Sequence, residues 1–204
     1  MNPITTSLAS CTPIVFAVST LGTSTHDFTP VSSKNAVGLG IPAAGNVLTV
    51  KPRATIPSSI PLPAEHGIYQ LEITLPGSAD SCIYVGETTN LRGRMAEYGE
   101  MVRALVALHQ GCRVVLDSNA YRYIHYAIAN ALLTNQAVTV RFVNGHRYAN
   151  SEVRRREELL ALTDIVQSYQ ASGNFPLVLN CMGKLKTASP SHLSGRWQAL
   201  QAVI

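Results

Sequence analysis

An α+β fold, with a small, mainly antiparallel three-stranded sheet flanked by helices, is what three patterns in this 204-residue chain predict. From Gly67 to Leu75, Tyr69, Leu71, Ile73 and Leu75 alternate with Gln70, Glu72 and Thr74, the period of a strand with one apolar face. A turn-forming run, Pro76-Gly77-Ser78-Ala79-Asp80, separates it from a second β-prone segment, Ser81 to Val85, so the two are expected to pair as an antiparallel hairpin. The period then lengthens to that of a helix: Leu91, Met95, Tyr98, Val102, Leu105 and Val106 fall on one stripe, with Asn90 placed to cap its start.

The remaining elements follow from the same reasoning. Residues 119 to 134 carry Tyr123, Ile124, Ala127, Ile128 and Leu132 at helical spacing, and Ala137 to Val143 alternates as a third strand. A third helix is expected from Asn150 or Ser151, with Glu152 complementing its dipole, to about Gln170, where Ala171-Ser172-Gly173-Asn174 ends it. Phe175 to Asn180 then reads as an extended closing segment. Residues 1–64 are rich in Ser, Thr, Pro, Gly and Ala without a sustained helical period, so they are expected to form an extension of short strands and loops. The Pro-rich run Ile56 to Pro63 marks the boundary to a core over 65–182, and a basic tail, 183–204, follows it, with a short helix expected from Ser194 to Val203.

Composition narrows the class of protein. Hydrophobic residues at 46% and charged residues at 14% suit a folded chain rather than a disordered one. No apolar run approaches the length needed to cross a bilayer, so no membrane association is expected. Cys11, Cys82, Cys112 and Cys181 are scattered, without the spacing of a zinc site, and read as reduced thiols of a cytoplasmic protein. The net charge of +4 is uneven: residues 1–64 carry +2 and residues 183–204 carry +3, while the middle is near neutral. Basic flanks of this kind suit a polyanionic partner, and the twelve arginines, against four lysines, favour forked phosphate contacts.

The hairpin should bring Tyr69 and Tyr84 onto neighbouring strands, and the helix after it should deliver Arg94 and Tyr98. Two phenols beside a guanidinium can orient a water and neutralise charge on a phosphate. Taken alone, Tyr69 reads as an ordinary core tyrosine, because it shares a face with Leu71 and Ile73. The combination is what points to chemistry. His66 and His125 have no metal-ligand companions at regular spacing and read as surface or partnered residues.

Gly67-Ile68-Tyr69, Tyr84-Val85-Gly86, then Asn90-Leu91-Arg92-Gly93-Arg94 and Tyr98, together resemble the catalytic module of the GIY-YIG nuclease family. In that family an arginine stands ten residues after the second motif's tyrosine and a Tyr or His four residues later, as Arg94 and Tyr98 do. Ser151 to Glu157 is similar to the family's helix that carries a metal-binding glutamate, and Pro176-x-x-x-Asn180 to its closing segment. The likeness spans about residues 66–181. Two intervals, Tyr98 to Ala137 and Glu157 to Asn180, are longer than in minimal members.

The resemblance implies a metal-dependent endonuclease that hydrolyses DNA phosphodiesters. Glu157 would hold Mg²⁺ or Mn²⁺, with Glu158 as the alternate; Glu157 is favoured because Val153, Leu160 and Ala161 share its face. Tyr69 would serve as general base with Tyr84, Arg94 would bind the scissile phosphate, Tyr98 would fill the family's Tyr or His position, and Asn180 would brace the site. Arg92, Arg154, Arg155, Lys184 and Lys186 are the expected DNA contacts. The reading is a type II restriction endonuclease acting on double-stranded DNA as a homodimer, with a non-specific, repair or mobile-element nuclease as the alternative. An inactive DNA-binding module of the same fold is the second alternative.

Overall fold

The computed structural model describes residues 3–16, 28–30, 48–50, 61–74, 81–109, 122–172 and 178–182. Its elements, in chain order, are helix α1 (Pro3–Ser10), strands β1 (Ile14–Val15), β2 (Phe28–Pro30), β3 (Leu48–Val50), β4 (Gly67–Thr74) and β5 (Ser81–Thr88), helices α2 (Leu91–His109) and α3 (Tyr123–Leu133), strand β6 (Val138–Asn144), a 3₁₀ turn (His146–Ala149), and helices α4 (Ser151–Ser172) and α5 (Leu179–Met182). The class is α+β, as expected. The main sheet, however, has four strands rather than three, in the order β1-β6-β4-β5, with every pairing antiparallel.

The fourth strand comes from a segment read as part of an outlying extension. Ile14 and Val15 pair with Val140 and Thr139, and Phe16 N donates to Val138 O at 2.9 Å, so the start of the chain completes the sheet edge. Residues 3–10, expected as strand or loop, form a helix instead. Ile4 and Leu8, one turn apart, bury the same face of α1 against α4. That two-residue pattern is too short to stand out as a helical period in a Ser/Thr-rich stretch. Residues 3–16 thus contribute to both the sheet and the core, while β2 and β3 form a separate two-stranded pair. The expected DNA contacts Lys184 and Lys186, the Ser194–Val203 helix and the Leu75–Asp80 turn lie outside the described residues.

Strand alternation sorts the core onto the two faces of the sheet. Tyr69, Leu71 and Ile73 of β4 and Cys82 of β5 pack with α2 and α3, whereas Ile68, Ile83 and Val85 pack with α1 and α4. Each fully buried large aliphatic contributes about 1.5–3 kcal/mol, so both helical layers are firmly seated. The central position of β4 requires Gly67: a Cβ there would collide with the Val143 carbonyl and the Phe142 ring of β6. At the outer edge of β5, Val178 makes a parallel bridge to Ile83, and α5 follows where an extended segment was expected to run on to Asn180. Among the described residues no helix is long and apolar enough to cross a membrane.

Candidate active site

The sheet register explains how the tyrosines meet. Tyr69 lies opposite Gly86 and Leu71 opposite Tyr84, so both phenols rise from the same face of the hairpin. Asn90 caps α2, its Oδ1 accepting from Gly93 N at 3.0 Å, and the main chain of Leu91 and Arg92 is tied to the carbonyls of Glu65 and Pro63. The helix anchored in this way delivers Tyr98. The ring centroids of Tyr69, Tyr84 and Tyr98 form a near-equilateral triangle of 6.1, 6.4 and 6.4 Å, and the Tyr69 and Tyr98 hydroxyls share a 2.6 Å hydrogen bond.

These three rings, with Gly86, Glu87, Arg94, Glu97, Met101, Arg122, His125 and Glu158, line a cleft of about 330 Å³. Gly86 is essential to its shape, because a Cβ at that position would run into Cζ and Oη of Tyr69. Gly86→Ala should therefore displace the Tyr69 ring and cost about 1–3 kcal/mol in urea denaturation. Combining it with Tyr69→Leu, which removes the colliding atoms, should give a total well below the sum of the single losses; full additivity would contradict the assigned contact.

Burial dominates the electrostatics. Tyr69 is 1% exposed, and its phenol is pushed well above the ordinary tyrosine value first by burial, then by Tyr98 and Tyr84, with Arg94 opposing the shift. Tyr98 is pushed the same way, again mainly by burial. Both hydroxyls are therefore protonated at neutral pH and act as donors and acceptors, not as standing tyrosinates. Arg94 is half-buried and paired with Glu97 at 2.6 Å. An exposed pair of this kind holds by only about 0.2–1 kcal/mol, so the guanidinium is readily released to an anion.

His125 is a feature that sequence reasoning placed outside the chemistry. It is 4% exposed, its ring lies edge-on to Tyr98 at 5.5 Å, and its Nδ1 accepts from Arg122 N at 2.9 Å. That bond assigns the imidazole proton to Nε2. Burial, then Arg122, lowers its pKa from 6.5 to about 4. Between these values the unfolded chain binds the proton and the folded one does not, so stability should fall as pH drops from 6.5 to 4, by about 3 kcal/mol in all. Urea melts across that range should show the loss in wild type and not in His125→Gln, whose amide oxygen can still accept from Arg122 N; parallel curves would contradict it. The sequence signal was available: an acceptor side chain at the third position of a helix, reaching back to the capping residue.

The other expected site residues divide. Asn180 lies outside the cleft lining but braces it: its amide exchanges two hydrogen bonds with the Val85 main chain, Oδ1 accepting from Val85 N at 2.8 Å and Nδ2 donating to Val85 O at 2.5 Å. It thereby pairs the open edge of β5 beside Tyr84 and Gly86. Arg92 is exposed with Nε bonded to Leu62 O at 2.9 Å, and Arg155 is exposed on α4. Arg154 does not sit on the surface expected for a DNA contact. It is 5% exposed, pairs with Glu87 at 2.5 Å and donates to the carbonyls of Tyr148 and Ala149, clamping α4 to the end of β5.

The two glutamates exchange places relative to expectation. Glu157 is 8% exposed, on the stripe of Val153, Ala161 and Ile165 that docks α4 onto the sheet, and does not line the cleft. Glu158 does. It stands four residues after the Arg154 clamp, about 40° round the helix, and lines the cleft wall with Gly86 and Glu87. Of the apolar neighbours that recommend Glu157, Val153 and Ala161 turn it into the packing layer, whereas Leu160 is exposed.

Comparison of the chain with protein-family models, with curated proteins and with solved structures returned no match.

Proposed function

We propose that this protein is a metal-dependent endonuclease that hydrolyses DNA phosphodiester bonds, with the GIY-YIG catalytic arrangement its motifs resemble. The observation that carries this reading is the convergence of Tyr69, Tyr84, Tyr98, Arg94 and Glu158 on one cleft, from four separate elements. Core tyrosines are common, but three hydroxyl-bearing rings grouped with a releasable arginine and a carboxylate make an anion-handling site.

The donor set fits hydrated Mg²⁺ or Mn²⁺. Such hard cations keep several waters and need only one or two carboxylates, and the cleft lining supplies Glu158, Glu87 and Glu97. Among the described residues no group of three or more His, Cys, Asp or Glu forms an all-protein cage. The cation, when bound, neutralises charge on the phosphate and on the departing 3′ oxygen. Arg94 leaves Glu97 to bind the scissile phosphate. A water held at Tyr69 Oη attacks phosphorus and gives its proton to that oxygen. Tyr69 passes its own proton along the 2.6 Å bond to Tyr98, which releases one through Tyr84 toward solvent. Such a relay suits phenols too buried to ionise beforehand.

A type II restriction enzyme acting as a homodimer is the role we favour, since one cleft per chain must be doubled to cut both strands. Digestion of long linear DNA with Mg²⁺ tests it: discrete fragments support restriction, whereas a continuous smear supports a non-specific nuclease.

A further inference from the structure

The cleft contains a second guanidinium, Arg122, which no motif singled out. Arginine is permanently charged, and most of the described arginines have their charge or donors engaged within the fold: Arg94 with Glu97, Arg154 with Glu87, Arg92 with Leu62 O, Arg141 with the carbonyls of Ala9 and Cys11, and Arg147 with the Tyr148 hydroxyl. The Arg122 side chain has no ion-pair or hydrogen-bond partner among the described residues, although it lines the same cleft as Arg94 and the tyrosines. Its backbone is fixed at both polar groups, Arg122 N donating to His125 Nδ1 and Arg122 O accepting from His125 N, each at 2.9 Å. The structure therefore holds the root of this side chain in place at the cleft wall.

We propose that Arg122 is a second phosphate-binding residue of the cleft, taking a backbone phosphate of the DNA other than the scissile one held by Arg94. This rests on the nuclease reading above. A planar guanidinium fork suits a phosphate, and a contact separate from Arg94 would fix the direction in which the strand crosses the tyrosine cluster.

Each phosphate neutralised by the protein releases condensed counterions, so removing one contact should reduce the steepness of log K against log salt by about 0.9 on duplex DNA. The experiment is fluorescence anisotropy of a labelled duplex without divalent metal, over a salt series, with wild type, Arg122→Gln, Arg94→Gln and the double variant. Arg122→Gln should flatten the slope by about 0.9, Arg122→Lys should restore it, and the double variant should flatten it by about 1.8, twice the single contact. Because, among the described residues, the fold bonds Arg122 through its main chain, denaturation of Arg122→Gln should match wild type. A wild-type slope in Arg122→Gln, with DNA binding otherwise intact, would overturn this assignment alone. Absence of salt-dependent DNA binding by wild type would overturn it together with the nuclease reading.

Discussion

Tyr69→Phe should lower the rate of DNA cleavage by about 10²–10⁴-fold, the range supplied by a positioned proton-transfer group. The substitution deletes one oxygen from a ring that is otherwise packed, and with it the 2.6 Å bond to Tyr98. A lost buried hydrogen bond costs about 1 kcal/mol, so the variant should remain folded at room temperature. DNA affinity should be little changed, because Arg94 and Arg122 are untouched. Single-turnover cleavage beside anisotropy binding separates the two effects. Equal losses in binding and cleavage would indicate a packing role only.

The second large effect concerns the carboxylate. Glu158→Ala should reduce metal-dependent cleavage by about 10³-fold, the consequence of several kcal/mol of lost charge stabilisation, with the fold intact since Glu158 lies at the cleft wall. Glu157→Ala should behave in the opposite manner. It empties a buried position in the layer between α4 and the sheet, so it should cost about 1–3 kcal/mol of stability and leave cleavage of the folded protein within severalfold of wild type. Activity in Glu158→Ala and none in Glu157→Ala would show that the metal is held from the other side of α4.

Much of the hairpin and helix framework was legible because local chemistry and tertiary structure agree there. The alternation from Gly67 and the Asn90 cap each specify a local geometry that packing then uses without alteration. Residues 3–16 were opaque for the opposite reason. A two-residue strand and a helix with two apolar contacts carry almost no periodic signal, and acquire structure only from β6 and α4 beside them. The tyrosines and Arg94 were found through spacing along one short stretch. Glu157 and Arg154 fall elsewhere than expected because each depends on how α4 is rotated against the sheet, whereas His125, read as surface or partnered, is indeed partnered, its Nδ1 accepting from Arg122 N. A helical wheel shows which residues share a face, but not whether that face meets the core or the cleft. Arg154 reads from the sequence as a DNA contact, but Glu87 and two carbonyls claim it.

Supercoiled plasmid incubated with purified wild-type protein, in Mg²⁺ and in parallel in EDTA, tests most directly whether this cleft cuts nucleic acid. Nicked and linear products in Mg²⁺, absent in EDTA, absent from Tyr69→Phe over the same time and retained in Glu157→Ala, are the expected result. Protein that shifts the plasmid at every concentration yet never nicks it, with Mg²⁺ or Mn²⁺, would contradict catalysis and leave a DNA-binding module of this fold in its place.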